Sequence, residues 1–152
     1  MYYSNIPQHV IRTQDSTDLE KGINYCIHRK CTSVAIVGAT GSRIDHTTGS
    51  LGCFKKFRHR IDMTLYDGEG ETQLIEKNVR LRTQRGERIS LIPLERCTGV
   101  TTKNLLYPLI NEVLELGVRE GISNVATSAT IVVSYRKGTL LLYRSHRGMV
   151  GK

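Results

Sequence analysis

Thr32-Ser33-Val34-Ala35-Ile36-Val37-Gly38-Ala39-Thr40-Gly41-Ser42-Arg43 is the stretch that decides the fold. Thr32 to Val37 is β-branched and apolar without polar alternation, the pattern of a strand covered on both faces. It runs directly into glycines, which let a backbone turn sharply and bring its amides toward an anion. Beyond the loop, Ile44 to Phe57 reads as a helix weakened by Gly49 and Gly52. Ahead of the strand, Thr17 and Glu20 have capping-box spacing, and Leu19, Ile23, Cys26 and Ile27 follow at helical intervals. Arg29 and Lys30 suit the negative end of that helix dipole. Helix, strand, glycine loop and helix make half of a βαβ sheet. A short extended run, His9 to Thr13, precedes them.

From about Arg60 the texture changes. Ile61 to Tyr66 is a strand candidate, Asp67-Gly68-Glu69-Gly70 a turn, and Val79, Leu81 and Thr83 alternate with basic residues up to a turn at Gln84-Arg85-Gly86. Ile89 to Leu94, Val125 to Ser134 and Thr139 to Arg144 read as further strands, the last two joined by a hairpin turn at Arg136-Lys137-Gly138. Strands at this spacing predict an antiparallel sandwich. Leu105 to Val118 fits either a helix or paired strands, because Pro108 and Gly117 interrupt its helical period. Ser145 to Lys152 reads as a frayed tail. The fold class expected is thus α/β followed by all-β: a partial parallel α/β domain over 1–59, a β-sandwich over 60–145, and a tail over 146–152.

At 152 residues the chain can bury a real core. It has no run of roughly 20 apolar residues and no signal-peptide pattern at its start, which points to a cytoplasmic protein without a membrane span. Four cysteines, none in a C-x-x-C pair, sit in apolar segments and read as buried free thiols. The net charge of +8 suggests a nucleic-acid partner, but the basic residues are dispersed and lack interleaved aromatics. A solvated face or an anionic small substrate accounts for them as well, and no nucleic-acid partner is expected.

Three blocks, Gln14 to Lys21, Gly38 to Thr47 and Ile89 to Leu94, then Gly99-Val100-Thr101-Thr102 through Tyr107-Pro108-Leu109 and Gly121-Ile122-Ser123-Asn124, resemble those of thiamine pyrophosphokinases in kind and order. The resemblance implies a nucleotide domain followed by a sandwich, a homodimer with the active site between subunits, and pyrophosphoryl transfer from ATP to the hydroxyl of thiamine with Mg²⁺. It also implies that Leu105 to Val118 is mostly extended. Such chemistry needs a divalent ion on the phosphates, donors for the developing charge, and an alcohol held in line.

By this resemblance Asp18, Asp45 and Arg43 are the catalytic candidates, and Asp15, Asp18 and Asp45 the metal candidates. Gln14, Thr40, Gly41 and His46 would contact the nucleotide, with Arg43 offering a planar fork to phosphate. Ser123 and Asn124 would face thiamine, contributed by the second subunit. Asp18 and Asp45 also suit first-turn helix acids, His46 a packing residue, and Ser123-Asn124 a plain turn. Tyr107 and Tyr135 are the remaining candidates for an aromatic wall against thiamine, and both read more readily as packing residues. Thr13 stands where the family often has an acid, and Ser42 where it has a second glycine. Complete family members carry a G-D-x-D-S segment upstream, whereas Asp15 is the first acid here. A fragment, a misassigned start or a short form is therefore expected, with an exposed sheet edge. The competing functional expectation is a thiamine or thiamine diphosphate-binding module without transfer activity.

Overall fold

A computed structural model describes residues 10, 12, 14–41 and 43–146. Most of the extended run expected over His9 to Thr13, the Ser42 departure and residues 147–152 of the tail lie outside them. Two helices, α1 (Asp18–His28) and α2 (Ile44–Phe57), flank β1 (Ser33–Val37). Nine strands follow: β2 (Asp62–Tyr66), β3 (Gly70–Leu74), β4 (Asn78–Arg82), β5 (Arg88–Pro93), β6 (Cys97–Lys103), β7 (Glu112–Leu114), β8 (Gly121–Val125), β9 (Thr130–Ser134) and β10 (Leu140–Ser145).

The strands form a six-stranded sheet in the order β1-β2-β3-β10-β5-β8 and a four-stranded sheet in the order β4-β9-β6-β7. Among the described residues, only β1 and β2 pair in parallel. The larger sheet is the middle layer, with the helices on one face and the smaller sheet on the other. Its central strand shows this directly. Leu140 and Leu142 enter the core between the sheets, Leu141 enters the core beneath the helices, and all three are fully buried. A run of three leucines is what a two-sided strand needs, since successive side chains point to opposite faces. Because β2 pairs with β1 and hairpins onto β3, the sheet is continuous across position 60.

Several expectations about strand partners are corrected. β9 and β10 are not a hairpin: Arg136-Lys137-Gly138 carries the chain from the small sheet to the large one. Gly138 turns there with φ 109°, packed so closely that a Cβ would lie 2.6 Å from the Cys97 sulfur. Val125 to Ser134 is not one strand either, since β8 and β9 belong to different sheets. Thr32 to Val37 is not covered on both faces; among the described residues β1 is an edge strand, with only Ile36 of its five residues buried and Val37 76% exposed. Ser145 closes β10 instead of fraying. The cysteines divide: Cys53 and Cys97 are buried, but Cys26 is half-buried and Cys31 exposed.

Segment 105–118 is extended or bent, with β7 its regular part. Tyr135 packs as expected and donates its hydroxyl to the Ile75 carbonyl at 2.9 Å. Tyr107, by contrast, is 67% exposed. No helix among the described residues is long and apolar enough to cross a membrane.

α2 is fastened to the sheets at its C-terminal end. Lys55 reaches Glu95 at 2.8 Å, Arg58 donates to the Thr139 hydroxyl at 2.7 Å, and that hydroxyl donates to Glu95 at 2.6 Å. Lys55, followed by Thr139, holds the Glu95 carboxyl below its ordinary pKa.

Candidate active site

The N-terminus of α1 begins where Thr17 closes a reciprocal cap. Its hydroxyl accepts from the Glu20 amide and the Glu20 carboxylate accepts from the Thr17 amide, both at 3.2 Å. Such a cap is worth about 1 kcal/mol. The other Glu20 oxygen takes Lys56 of α2 at 2.5 Å, a pairing that lowers the Glu20 pKa. Thr17 and Glu20 satisfy the cap of α1, and Asp18 in its first turn has a fully exposed side chain, with Lys21 3.3 Å away.

The glycine loop descends from β1. Gly38 takes φ 70°, a conformation costly for residues with a Cβ. Ser50 fixes the loop against α2: its buried hydroxyl lies 2.7 Å from the Ala39 carbonyl and 2.9 Å from that of His46. Arg43 occupies the N-cap of α2 in an extended conformation without a side-chain cap bond. It clasps Asp45 in a two-pronged pair, Nε to Oδ1 at 3.1 Å and Nη2 to Oδ2 at 2.5 Å. Arg43 is the main reason the Asp45 pKa is lowered, so Asp45 is an anion at neutral pH.

These elements enclose an open cleft of about 890 Å³. Gln14, Asp18, Thr40, Gly41, Arg43, Asp45 and His46 all line it, with Lys21 and Ser50 among their neighbours. Its size is in the range that takes a small-molecule ligand. Asp15 does not line it, and no three His, Cys, Asp or Glu side chains cluster as metal ligands among the described residues. His46 is exposed, which removes its reading as a packing residue. Lys21 and Ser50 were missed by the sequence reading. The signal for Ser50 was a hydroxyl four residues after His46 in a helix interior, where it can bond back to a carbonyl.

Ser123 and Asn124 are not brought to this cleft by their own chain. They sit at a bulge of β8, where Ile122 and Ser123 oppose the single residue Ser90 of β5. Ser123 takes φ 58°, and its amide donates to the Ser90 hydroxyl at 3.0 Å. The pair is thus a strand irregularity and not a turn. Asn124 is buried. Its Oδ1 accepts from the amides of Tyr107 (3.0 Å) and Val125 (2.9 Å), and its Nδ2 donates to the Tyr107 carbonyl (2.6 Å).

Comparison with known proteins bears on what this cleft is. Residues 1–65 match the catalytic domain of thiamin pyrophosphokinase and residues 73–140 match its vitamin B1 binding domain. The chain belongs to the thiamin pyrophosphokinase family. The thiamine pyrophosphokinase of Bacillus subtilis (strain 168) is 30% identical over 147 residues, covering 90% of this chain and 66% of that protein. A thiamine pyrophosphokinase of Oryza sativa subsp. japonica is 25% identical, covering 88% and 56%. The crystal structure of the Bacillus subtilis enzyme superposes with a TM-score of 0.78 at 28% identity, over 88% of this chain and 64% of that one. The chain therefore spans somewhat under two thirds of the length of these relatives. In this thiamin pyrophosphokinase-family chain, the cleft falls within the part matched to the catalytic domain, and Ser123 and Asn124 within the part matched to the vitamin B1 binding domain.

Proposed function

We propose that this chain works as a thiamine pyrophosphokinase, transferring pyrophosphate from ATP to the hydroxyl of thiamine to give thiamine diphosphate and AMP. The observation that carries the reading is the meeting of Asp18, the glycine loop, Arg43 and Asp45 around one cleft. Residues 1–59 supply the ATP side and 60–145 the thiamine side. The loop at Thr40 and Gly41 offers backbone amides to phosphate oxygens, and Gln14 and His46 orient the nucleotide from the rim. Arg43 is pre-oriented by Asp45 and stabilises charge that develops on the transferred group.

Mg²⁺ fits this donor set. Asp18 and Asp45 are oxygen donors on a cleft wall, and Mg²⁺ commonly takes one or two carboxylates and completes its shell from phosphates and water. When bound, it neutralises phosphate charge.

A homodimer accounts for the thiamine side. Leu106, Tyr107, Ile110, Leu116, Val118 and Ile122 are large, apolar and exposed, and a second copy of the chain would cover them while bringing its Ser123 region toward this cleft. The site is a cytoplasmic one on this reading.

The test is AMP release that requires both thiamine and magnesium. Asp18→Asn should abolish release with little loss of fold, because Asp18 is fully exposed and paired only at the surface with Lys21. Full activity in that variant would remove Asp18 from the site. Thiamine binding by calorimetry without AMP release from the unmodified chain would favour a non-catalytic binding module.

A further inference from the structure

The C-terminal end of α1 brings two thiols together. Lys30 takes φ 60°, its amide donates to the Ile27 carbonyl at 2.9 Å, and the Cys31 amide donates to the Cys26 carbonyl at 3.0 Å. This pair of bonds is a Schellman ending, in which the side chains at the two ends of the longer bond commonly touch. Here those residues are Cys26 and Cys31. With their backbones joined by that bond, covalent geometry keeps the two Cα atoms within about 7 Å, inside the span of a disulfide. Burial, and then the adjacent Cys31 thiol, hold the Cys26 thiol above its ordinary pKa, which is consistent with the two sulfurs being neighbours. Cys53 and Cys97 lie buried in separate cores.

We propose that Cys26 and Cys31 are a redox-modification site that closes reversibly into an intrachain disulfide. The fitting oxidant is a small disulfide that carries carboxylates, since the residues between the thiols are Ile27, His28, Arg29 and Lys30, the last three exposed and basic. Cys31, the exposed thiol, loses its proton to solvent and attacks one sulfur of the oxidant, expelling a thiolate. Cys26 then loses its proton and attacks the Cys31 sulfur of the mixed disulfide, expelling the second thiolate. Two protein thiols are oxidised and one disulfide is reduced to two thiols, each expelled thiolate taking up a proton. The bond fastens the last turn of α1 to the residues that lead into β1. That helix carries Asp18 at its other end, and that strand leads into the glycine loop.

Trypsin reads the outcome directly. It cuts after Arg29 and Lys30, so Cys26 falls in the peptide 22–29 and Cys31 in the peptide 31–43, each with a single cysteine. After the folded protein is incubated with oxidised glutathione, alkylated and digested without reductant, the two peptides should run as one cross-linked species that separates on reduction. The peptides holding Cys53 and Cys97 should be free of glutathione. Cys26→Ser should trap glutathione on Cys31, and Cys31→Ser should abolish the cross-link. Recovery from the unmodified protein of glutathione on Cys31 with Cys26 alkylated, or of links only between chains, would overturn the proposal.

Discussion

Asn124→Ala separates a scaffold role from a ligand role at a residue the family resemblance assigns to thiamine. In the folded chain its amide makes three bonds, two of them to the backbone of Tyr107 seventeen residues away. Alanine leaves two amides and one carbonyl without these partners. Tyr107 is exposed, so water re-solvates part of its backbone, and a net loss near 1 kcal/mol per bond is appropriate; the total is about 2–3 kcal/mol. Urea denaturation at neutral pH should show the unfolding free energy falling by that amount, seen as a lower midpoint with an unchanged slope. Asn124→Asp keeps the oxygen that accepts from both amides but turns a carboxylate oxygen toward the Tyr107 carbonyl, and should not rescue stability. A loss below about 0.5 kcal/mol for Asn124→Ala would refute the scaffold argument. If thiamine binding also disappeared in that stable variant, Asn124 would be a ligand contact first.

Two further outcomes test the junction between the sheets. Gly138→Ala should cost about 3 kcal/mol or more in chemical denaturation, because it combines a positive φ with a Cβ placed 2.6 Å from the Cys97 sulfur and 2.8 Å from the Arg96 carbonyl oxygen; a loss under about 1 kcal/mol would mean the crossover is looser than described. Burial pushes the Cys97 thiol from 9.0 up to about 11. Between those values the folded chain keeps a proton that the unfolded chain has lost, so stability is intact below pH 9 and falls as pH rises toward 11, by about 2–3 kcal/mol. Cys97→Ala should flatten this decline, and parallel pH profiles for the two proteins would refute it.

Local order was legible wherever neighbours in sequence are neighbours in space. The Thr17–Glu20 cap, α2 and the Asp67–Gly70 turn each rest on contacts within a few residues, so residue type and spacing were enough. The residues that line the cleft were named through the family resemblance, and each lies at a locally legible place: Asp18 opens one helix, Arg43 and Asp45 open the other, and the glycine loop joins the second to its strand. What the tertiary structure alone decided is which strand pairs with which. Thr139 to Arg144 reads as a strand in isolation, but that it is the middle of the larger sheet, with leucines entering two cores, depends on β3 and β5 far away in the chain. The same holds for the linker at Gly138, whose composition suits a hairpin although it crosses between sheets, and for Asn124, whose partners lie at Tyr107. Alternation and turn residues report how a segment meets its own neighbours and solvent. They carry no information on the distant partner that completes its hydrogen bonds, and that pairing is chosen by the packing of the whole chain.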